Sequence, residues 1–415
     1  TCGDAERVGL LDVLNGKFIP PAPSGAPTRG RLDVLPTGRN FFSVDSRAVP
    51  TPTAWALGWK SANLLIEKHL QDHGDWPRAM LLTAWGTANM RTGGDDIAQC
   101  LALMGVKPQW DSANRRVVGF EIIPVSVLDR PRVDVTLRVS GFFRDAFPQQ
   151  MALVDSAARA VMAMDEPDDL NPAAAKFRAE GDGDAAYRVF GSKPGAYGAG
   201  LQAMIDEKLW ANKADLADTY LEWGSYAYGK DADGLKARGA LETRLSQVEA
   251  VVQNQDNREH DILDSDDYYQ FEGGAAAAVS TLQGQDRPIY HNDHSRPERP
   301  VIRTLDEEIG RVMRSRVVNP KWIDGVKRHG YKGAFEMAAT LDYLFAFAAT
   351  TGAVKNHHFD MAEAAFIEDD DTREFIERHN PAALREMAER LQEAIDRGMW
   401  NPKSNSARAR IEELL

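Results

Sequence analysis

Cysteine is almost absent from this sequence: Cys2 and Cys100 are the only two in 415 residues. They stand too far apart to form a metal or redox spacing, so a disulfide framework is excluded and a reducing, cytoplasmic setting is expected. Long apolar runs are missing as well; no stretch approaches the roughly 20 residues of a spanning helix, and no membrane span is expected. The text contains no G-x-x-x-x-G-K-[ST] run, no G-x-G-x-x-G opening a helix, no G-x-S-x-G elbow and no H-E-x-x-H pair. A nucleotide-hydrolysing loop of the chain's own is therefore not expected. Positive charge is in deficit, 49 Lys and Arg against 62 Asp and Glu for a net charge of -13. That balance argues against nucleic acid or an anionic membrane as the main partner, and leaves room for a local basic pocket. The opening Thr1-Cys2-Gly3-Asp4 lacks an initiating Met and a signal-peptide pattern, and reads as the interior of a longer polypeptide.

What is present is ordinary globular text, 43% hydrophobic and 27% charged, long enough for more than one domain. Residues 1–30 read as a connector, with a short amphipathic stretch at Val8–Leu14 and an extended proline-rich run from Pro20 to Pro27. Residues 31–300 read as an α/β domain, an open doubly wound mixed sheet with a helical excursion over about 165–245. Within it, Thr53–His69 is a strong helix with Trp55, Trp59, Ala62, Leu65 and Ile66 on one face. Ala79–Leu82, Arg116–Leu128, Arg132–Val139, Ala186–Phe190, Val248–Val252 and Pro288–Tyr290 read as strands, the third alternating Val133, Val135, Leu137, Val139. A polar turn runs through Glu180-Gly181-Asp182-Gly183-Asp184. Residues 301–415 read as helical, with Asn319-Pro320 and Asn380-Pro381 as start signals and Glu336–Ala349 as a buried helix.

Several apolar strands run into polar, glycine-bearing text. These are Trp85–Asp96, Ser140–Asp145, Gly191–Gly200, Asn254–Asp256 and His291–His294. In an open α/β sheet such loops gather on one edge and form a ligand crevice. Gly93 and Gly94 permit close backbone approach there, Asp95 or Asp96 is expected to cap the following helix, and Asn89 and Arg91 are expected to face the crevice. Thr87 and Ser140 lie on the same loops. Arg91, Arg138, Arg144 and Arg188 are candidates to hold a polyanionic ligand through bidentate carboxylate contacts, with Lys193 beside them. Trp85 and Tyr197 are candidates to line a flat apolar ligand. His291, Asp293 and His294 form a candidate open metal site of borderline ligands, and His260, Asp261, Asp264 and Asp267 a second acidic loop.

The runs Leu35-Pro36-Thr37-Gly38-Arg39-Asn40, Trp85-Gly86-Thr87-Ala88-Asn89-Met90-Arg91-Thr92-Gly93-Gly94 and Arg130-Pro131-Arg132-Val133-Asp134-Val135 resemble the large subunit of metal chelatases. So do Ser140-Gly141-Phe142-Phe143-Arg144-Asp145 and Asn319-Pro320-Lys321-Trp322. The family comprises the cobaltochelatase CobN type and the magnesium chelatase H subunit. Tyr290-His291-Asn292-Asp293-His294 and Trp223–Gly229 look closer to the cobalt branch, and the resemblance is to the C-terminal part. It implies a tetrapyrrole-binding subunit that inserts cobalt(II), as substrate metal, into hydrogenobyrinic acid a,c-diamide in cobalamin biosynthesis. ATP and Mg would be bound by separate AAA+ partner subunits. Magnesium insertion into protoporphyrin and a non-catalytic scaffold for the motor subunits are the alternatives. On this reading His291, Asp293 and Asp264 are candidate proton acceptors. The metal falls to His291, Asp293, His294 and Asp267. Trp85, Thr87, Asn89, Arg91, Arg138, Ser140, Arg144, Arg188, Lys193 and Tyr197 contact the macrocycle.

Overall fold

A computed structural model of the chain describes residues 1–25, 27–29, 31–42, 44–181 and 186–415. The chain divides into two compact units, the first formed by residues 1–197, 224–256 and 292–302, the second by 198–223, 257–291 and 303–415.

The expected mixed α/β architecture is present. Eight strands build the main sheet: β1 (Ala79–Ala84), β2 (Asp134–Val139), β3 (Val189–Gly191), β4 (Tyr226–Tyr228), β5 (Asp233–Lys236), β6 (Ala250–Gln255), β7 (Ile289–Asp293) and β8 (Val301–Thr304). Their order is β8-β7-β6-β1-β2-β3-β4-β5. β6, β1, β2 and β3 run parallel, while β4 and β5 fold back antiparallel. Residues 165–245, expected as a helical excursion, thus also contribute β3, β4 and β5. Every residue of β1, β2 and β6 is buried. The alternation expected for 132–139 is therefore not a solvent face. Central parallel strands are covered by helices on both sides, so Asp134, Thr136 and Arg138 are buried along with the valines.

Helix Pro52–His73 packs on helix Asp95–Met104. Its buried stripe is Ala54, Leu57, Gly58, Ser61, Ala62, Leu65, Ile66 and His69. Trp55 and Trp59 sit half-buried at its margin, not in the stripe as expected. The expected loop at Trp85–Asp96 instead contains a short helix, Gly86–Thr92. Gly93 and Gly94, at φ +75° and +102°, end it and start the next helix. A Cβ on Gly94 would come within 2.5 Å of Val49 Cγ1 and one on Gly93 within 2.9 Å of Thr51 Cγ2, so their close approach is to the protein's own chain. Asp95 and Asp96 do not cap: Gly94 holds the cap position, and Thr92 Oγ1 accepts from the backbone N–H groups of Gly94 and Asp95.

Two short ladders lie outside the main sheet. Val106–Trp110 pairs antiparallel with Val117–Ile122, so the β-rich 116–128 text belongs to a separate hairpin. Pro21–Pro23 pairs parallel with Asn40–Phe42, giving the proline-rich connector a strand. Of the polar turn before β3, residues 182–184 lie outside the described residues, and helix Pro172–Glu180 precedes them.

The second unit is mostly helical. Helix Tyr331–Thr350 buries Leu341, Leu344, Phe345 and Phe347 and packs on Pro381–Asp396. Asn319 and Asn380 cap their helices through side-chain oxygens, as their position before proline predicts. Helix Asp266–Tyr268 runs through a π-type turn, Tyr269–Gly273, into Gly274–Gln283.

Candidate functional site

Parallel strands β6, β1, β2 and β3 end on one edge of the first unit, and the polar segments after them meet there. Ser140 is the hinge of this edge: its backbone N–H donates to Ala84 O (3.0 Å), and its Oγ accepts from Phe143 N (3.2 Å) and Gly86 N (3.3 Å). Arg144 spans the next gap, donating from Nη1 to Lys193 O (2.8 Å) and Ala196 O (3.0 Å), and from Nε to Asp145 Oδ1 (2.7 Å). Its guanidinium lies 5.4 Å from the centre of the Tyr197 ring, whose hydroxyl donates to Asp145 Oδ2 (2.6 Å). Arg91 forms a two-pronged pair with Asp256 beyond β6, at 2.7 and 2.9 Å. Arg29 ties in the last segment, donating to Asp256 O, His294 O and Asp95 Oδ2 at 2.7, 2.8 and 2.7 Å. Side chains facing solvent from this edge are Thr87, Lys193 and Tyr197, with Arg91 partly so at 41% exposure and Trp85 half-buried.

Beneath the edge lies a buried polar network that the sequence reading missed. Asp96 accepts from Asn89 Nδ2 (2.6 Å) and Asn254 Nδ2 (2.8 Å), and Asn292 Nδ2 donates to Asn254 Oδ1 (2.9 Å). Gln99 Nε2 donates to Ser61 Oγ (2.9 Å), which lies 2.7 Å from His294 Nε2. The other ring nitrogen of His294 lies 3.7 Å from Asp95 Oδ2. Burial, reinforced by the neighbouring Asp95 charge, pushes the Asp96 carboxyl up to about 6 despite its two amide donors. Asn89 is thus part of the support and does not face the crevice as expected. An amide or carboxylate inside apolar helix text is the signal of such a network, and in Asp95-Asp96 the same letters also fit a helix cap.

In the second unit, His291 Nδ1 lies 3.0 Å from Glu272 Oε2, and both side chains are fully buried. Glu272 sits within the π-type turn, a geometry that adds one residue to a helix and re-aims its side chains. Burial raises the Glu272 carboxyl; burial also draws the His291 imidazole down, but Glu272 more than offsets this, so the pair holds a proton tightly. The Tyr268 ring is 5.6 Å from the imidazole. Nearby Glu308, which burial alone would raise, is held below its ordinary value by Arg311, which it grips with both oxygens, and by Arg303 at 3.4 Å. A lone glutamate in the apolar text of 269–279 was the sign of this pair.

The remaining expected residues fall elsewhere. Arg188 is not at the crevice. It precedes β3 and pairs with Asp134 at 2.7 and 3.2 Å, at the edge where the parallel strands begin. Burial and the neighbouring Arg244 charge pull its guanidinium down to about 10. Arg138 is fully buried in β2, its Nη1 donating to Val139 O. Asp293 Oδ1 accepts from Ser295 N (3.0 Å) and Ser295 Oγ (2.6 Å). Asp264 pairs with Arg316 at 3.1 Å, and Asp267 is exposed on helix 266–268. Among the described residues no group of three or more His, Cys, Asp or Glu side chains is placed to hold a metal ion. The reason lies in their partners: His291 faces Glu272, Asp293 accepts from Ser295, and His294 Nε2 lies against Ser61 Oγ.

A mixed α/β domain whose parallel strands end in a shared polar edge belongs to the open-sheet class, in which ligands bind at that edge. The family model described as CobN/Magnesium Chelatase matches residues 1–407, and the chain belongs to that family. It is 67% identical to the aerobic cobaltochelatase subunit CobN of Sinorhizobium sp over 98% of this chain and 33% of that protein. Identity to the subunit of the same description in Pseudomonas aeruginosa is 59%, over 100% of this chain and 34% of that one. The magnesium-chelatase H subunit of Rhodobacter capsulatus is 36% identical over 96% of this chain and 34% of its own length. The solved catalytic subunit of cobaltochelatase from Mycobacterium tuberculosis superposes with a TM-score of 0.93 at 47% identity, over 99% of this chain and 36% of that one. The chain thus spans about a third of the length of the curated relatives it matches. No helix among the described residues is long and apolar enough to cross a membrane.

Proposed function

We propose that this chain is the tetrapyrrole-handling portion of the large subunit of an ATP-dependent cobaltochelatase. The substrates are cobalt(II) and a macrocycle of the hydrogenobyrinic acid a,c-diamide type, ATP is hydrolysed by separate AAA+ partner subunits, and the assembly works in the cytoplasm. The observation that carries the reading is the gathering of the strand ends onto one polar edge, in a chain 67% and 59% identical to cobaltochelatase subunits and 36% identical to a magnesium-chelatase subunit.

Insertion replaces two pyrrole N–H protons by one divalent ion, so two protons must leave for each metal that enters. A proton acceptor near neutral pH is the group required. Of the candidates, His291 is the one whose ring is held in place by a carboxylate, Glu272, through Nδ1. Asp293 and Asp264 are already engaged by Ser295 and Arg316. Arg91 and Lys193, with Thr87, hold the carboxylates around the macrocycle, and Trp85 and Tyr197 flank its face. Cobalt arrives as substrate, and the macrocycle nitrogens become its ligands.

Two measurements on the assembled chelatase test this: tetrapyrrole binding by tryptophan quenching, and cobalt insertion by the absorbance shift of the macrocycle. His291→Ala is expected to keep binding and lose insertion by about 100-fold, within the usual range for a general base. Undiminished insertion would remove His291 from the reaction. Absence of binding by this portion would favour the scaffold reading.

A further inference from the structure

Large apolar side chains left in solvent are not spread evenly over this molecule. Val8, Leu10, Leu11, Val13, Leu14, Phe18 and Phe41 are each more than half exposed, Phe18 at 81% and Leu14 at 74%. All lie within the first 41 residues. Helix Cys2–Leu14 buries none of its residues. A free helix of this length is marginal in water, so it needs packing to persist. It approaches the 37–38 turn closely: an added Cβ on Gly9 would collide with Gly38 O, one on Gly38 would come within 2.5 Å of the Ala5 and Glu6 backbone, and Thr37 Oγ1 donates to Glu6 Oε1 at 2.5 Å. Leu10, Val13 and Leu14 share one stripe by their three- and four-residue spacing. With Phe18, Ile19 and Phe41, Leu10 and Val13 line a groove of about 630 Å³. An apolar patch of this kind marks an interaction surface.

We propose that this face is an internal docking surface, covered in cis by the part of the family's polypeptide that lies outside the third described here. The length supports that occupant: about two thirds of each relative's chain lies beyond the matched region, and 64% of the solved cobaltochelatase chain lies outside the superposition. A segment contributing an apolar helix or sheet face would fill the groove and give helix Cys2–Leu14 the packing it lacks. The surface is distinct from the strand-end edge, and the inference does not depend on which metal or macrocycle the protein handles.

Hydrogen exchange read by mass spectrometry on peptides covering residues 2–14 tests this, comparing the 415-residue chain with the same sequence embedded in the full-length polypeptide. The amides are expected to exchange freely in the shorter chain. In the longer one they should slow by at least about 100-fold, the effect of burying two leucine-sized side chains. Leu10→Asp combined with Leu14→Asp should then lower the melting temperature of the longer protein and leave that of the shorter chain unchanged. Equally fast exchange in both proteins would overturn the proposal. So would protection in the short chain that rises with concentration and vanishes in the double variant, since a second copy would then be the occupant.

Discussion

The two edges of the parallel strands carry the same residue types and use them in opposite ways. At the edge where the strands begin, Arg188 and Arg244 close on the single carboxylate of Asp134, and Arg132 closes on Glu166 at 2.7 and 2.8 Å. These guanidiniums are buried, and their charge is consumed inside the protein. At the edge where the strands end, Arg91 meets Asp256 with two-fifths of its side chain in solvent, and Thr87, Lys193 and Tyr197 are uncovered. A charge that is saturated and dry is locked to its partner, and removing either one leaves the other buried and unpaired; one that is partly wet can exchange its partner for a ligand's. Both edges are basic, and one is available.

The largest effect should come from breaking the saturated edge. Asp134→Ala removes the carboxylate that serves two buried guanidiniums, whose charges hold it well below the ordinary range against the opposing pull of burial. Removing one partner of a buried pair costs about 3–5 kcal/mol. Urea denaturation should show that loss in full. A change under about 1 kcal/mol, the size of an exposed pair, would mean that this edge is as wet as the other, and the contrast would fail.

A medium effect is expected beneath the open edge, where Asp96 makes the support pH-sensitive. Its carboxyl is raised from 3.8 to about 6, so the folded state binds the proton more tightly than the unfolded chain does. The stabilisation from that proton is complete below about 3.8 and is lost as pH rises through about 6. Its span is on the order of 2–3 kcal/mol. Urea midpoints of wild type and Asp96→Asn, taken from well below to well above that window, should give a difference curve that moves within it and is flat at higher pH. A flat difference throughout would show that Asp96 does not titrate there.

Much of this fold is written in local text. The strands at 79–84 and 134–139, the helices starting at Pro320 and Pro381, and the convergence of strand ends all follow from apolar runs, caps and the parallel-sheet rule. The roles of the polar residues follow less well, because a side chain's partner is set by long-range register. Arg188 and Arg91 look alike in sequence, yet Asp134 is 54 residues from one and Asp256 is 165 from the other. Glu272 and His291 lie 19 residues apart in different element types, and a π-type turn aims the glutamate. His291, Asp293 and His294 show the converse: they are neighbours in sequence, and separate partners, Glu272, Ser295 and Ser61, take them up.

Arg91→Ala sharpens the comparison from the other side. The guanidinium is two-fifths exposed and Asp256 is 11% exposed, so the loss of stability should fall between the roughly 1 kcal/mol of an exposed pair and the roughly 3 kcal/mol of a buried one. Affinity for a carboxylate-bearing tetrapyrrole should nonetheless fall about tenfold, the low end for a charge-assisted contact. Removing Asp256 in place of Arg91 should not weaken binding, because the guanidinium stays and one carboxylate that competes with the ligand's is gone. Quenching titrations of the two variants beside wild type decide between the roles. Parallel losses in both would make the Arg91–Asp256 pair a structural clasp like those of the opposite edge.

The smallest effect belongs to Lys193→Ala. Its ammonium is exposed at the open edge, and surface substitutions of this kind shift stability by no more than about 0.5 kcal/mol. Its contribution to a polyanionic ligand is a screened Coulomb attraction, felt within a Debye length of about 10 Å at 0.1 M salt. Tetrapyrrole binding should therefore weaken by about two- to fivefold at low salt, the range of an exposed ion pair, and the variant should converge on wild type as salt approaches about 1 M. Arg91→Ala should keep more of its deficit at high salt, because its contact is directional as well as electrostatic. A Lys193→Ala deficit that persists at high salt would place that ammonium in direct contact with the ligand, and the line between the covered and the open part of this edge would have to be drawn further out.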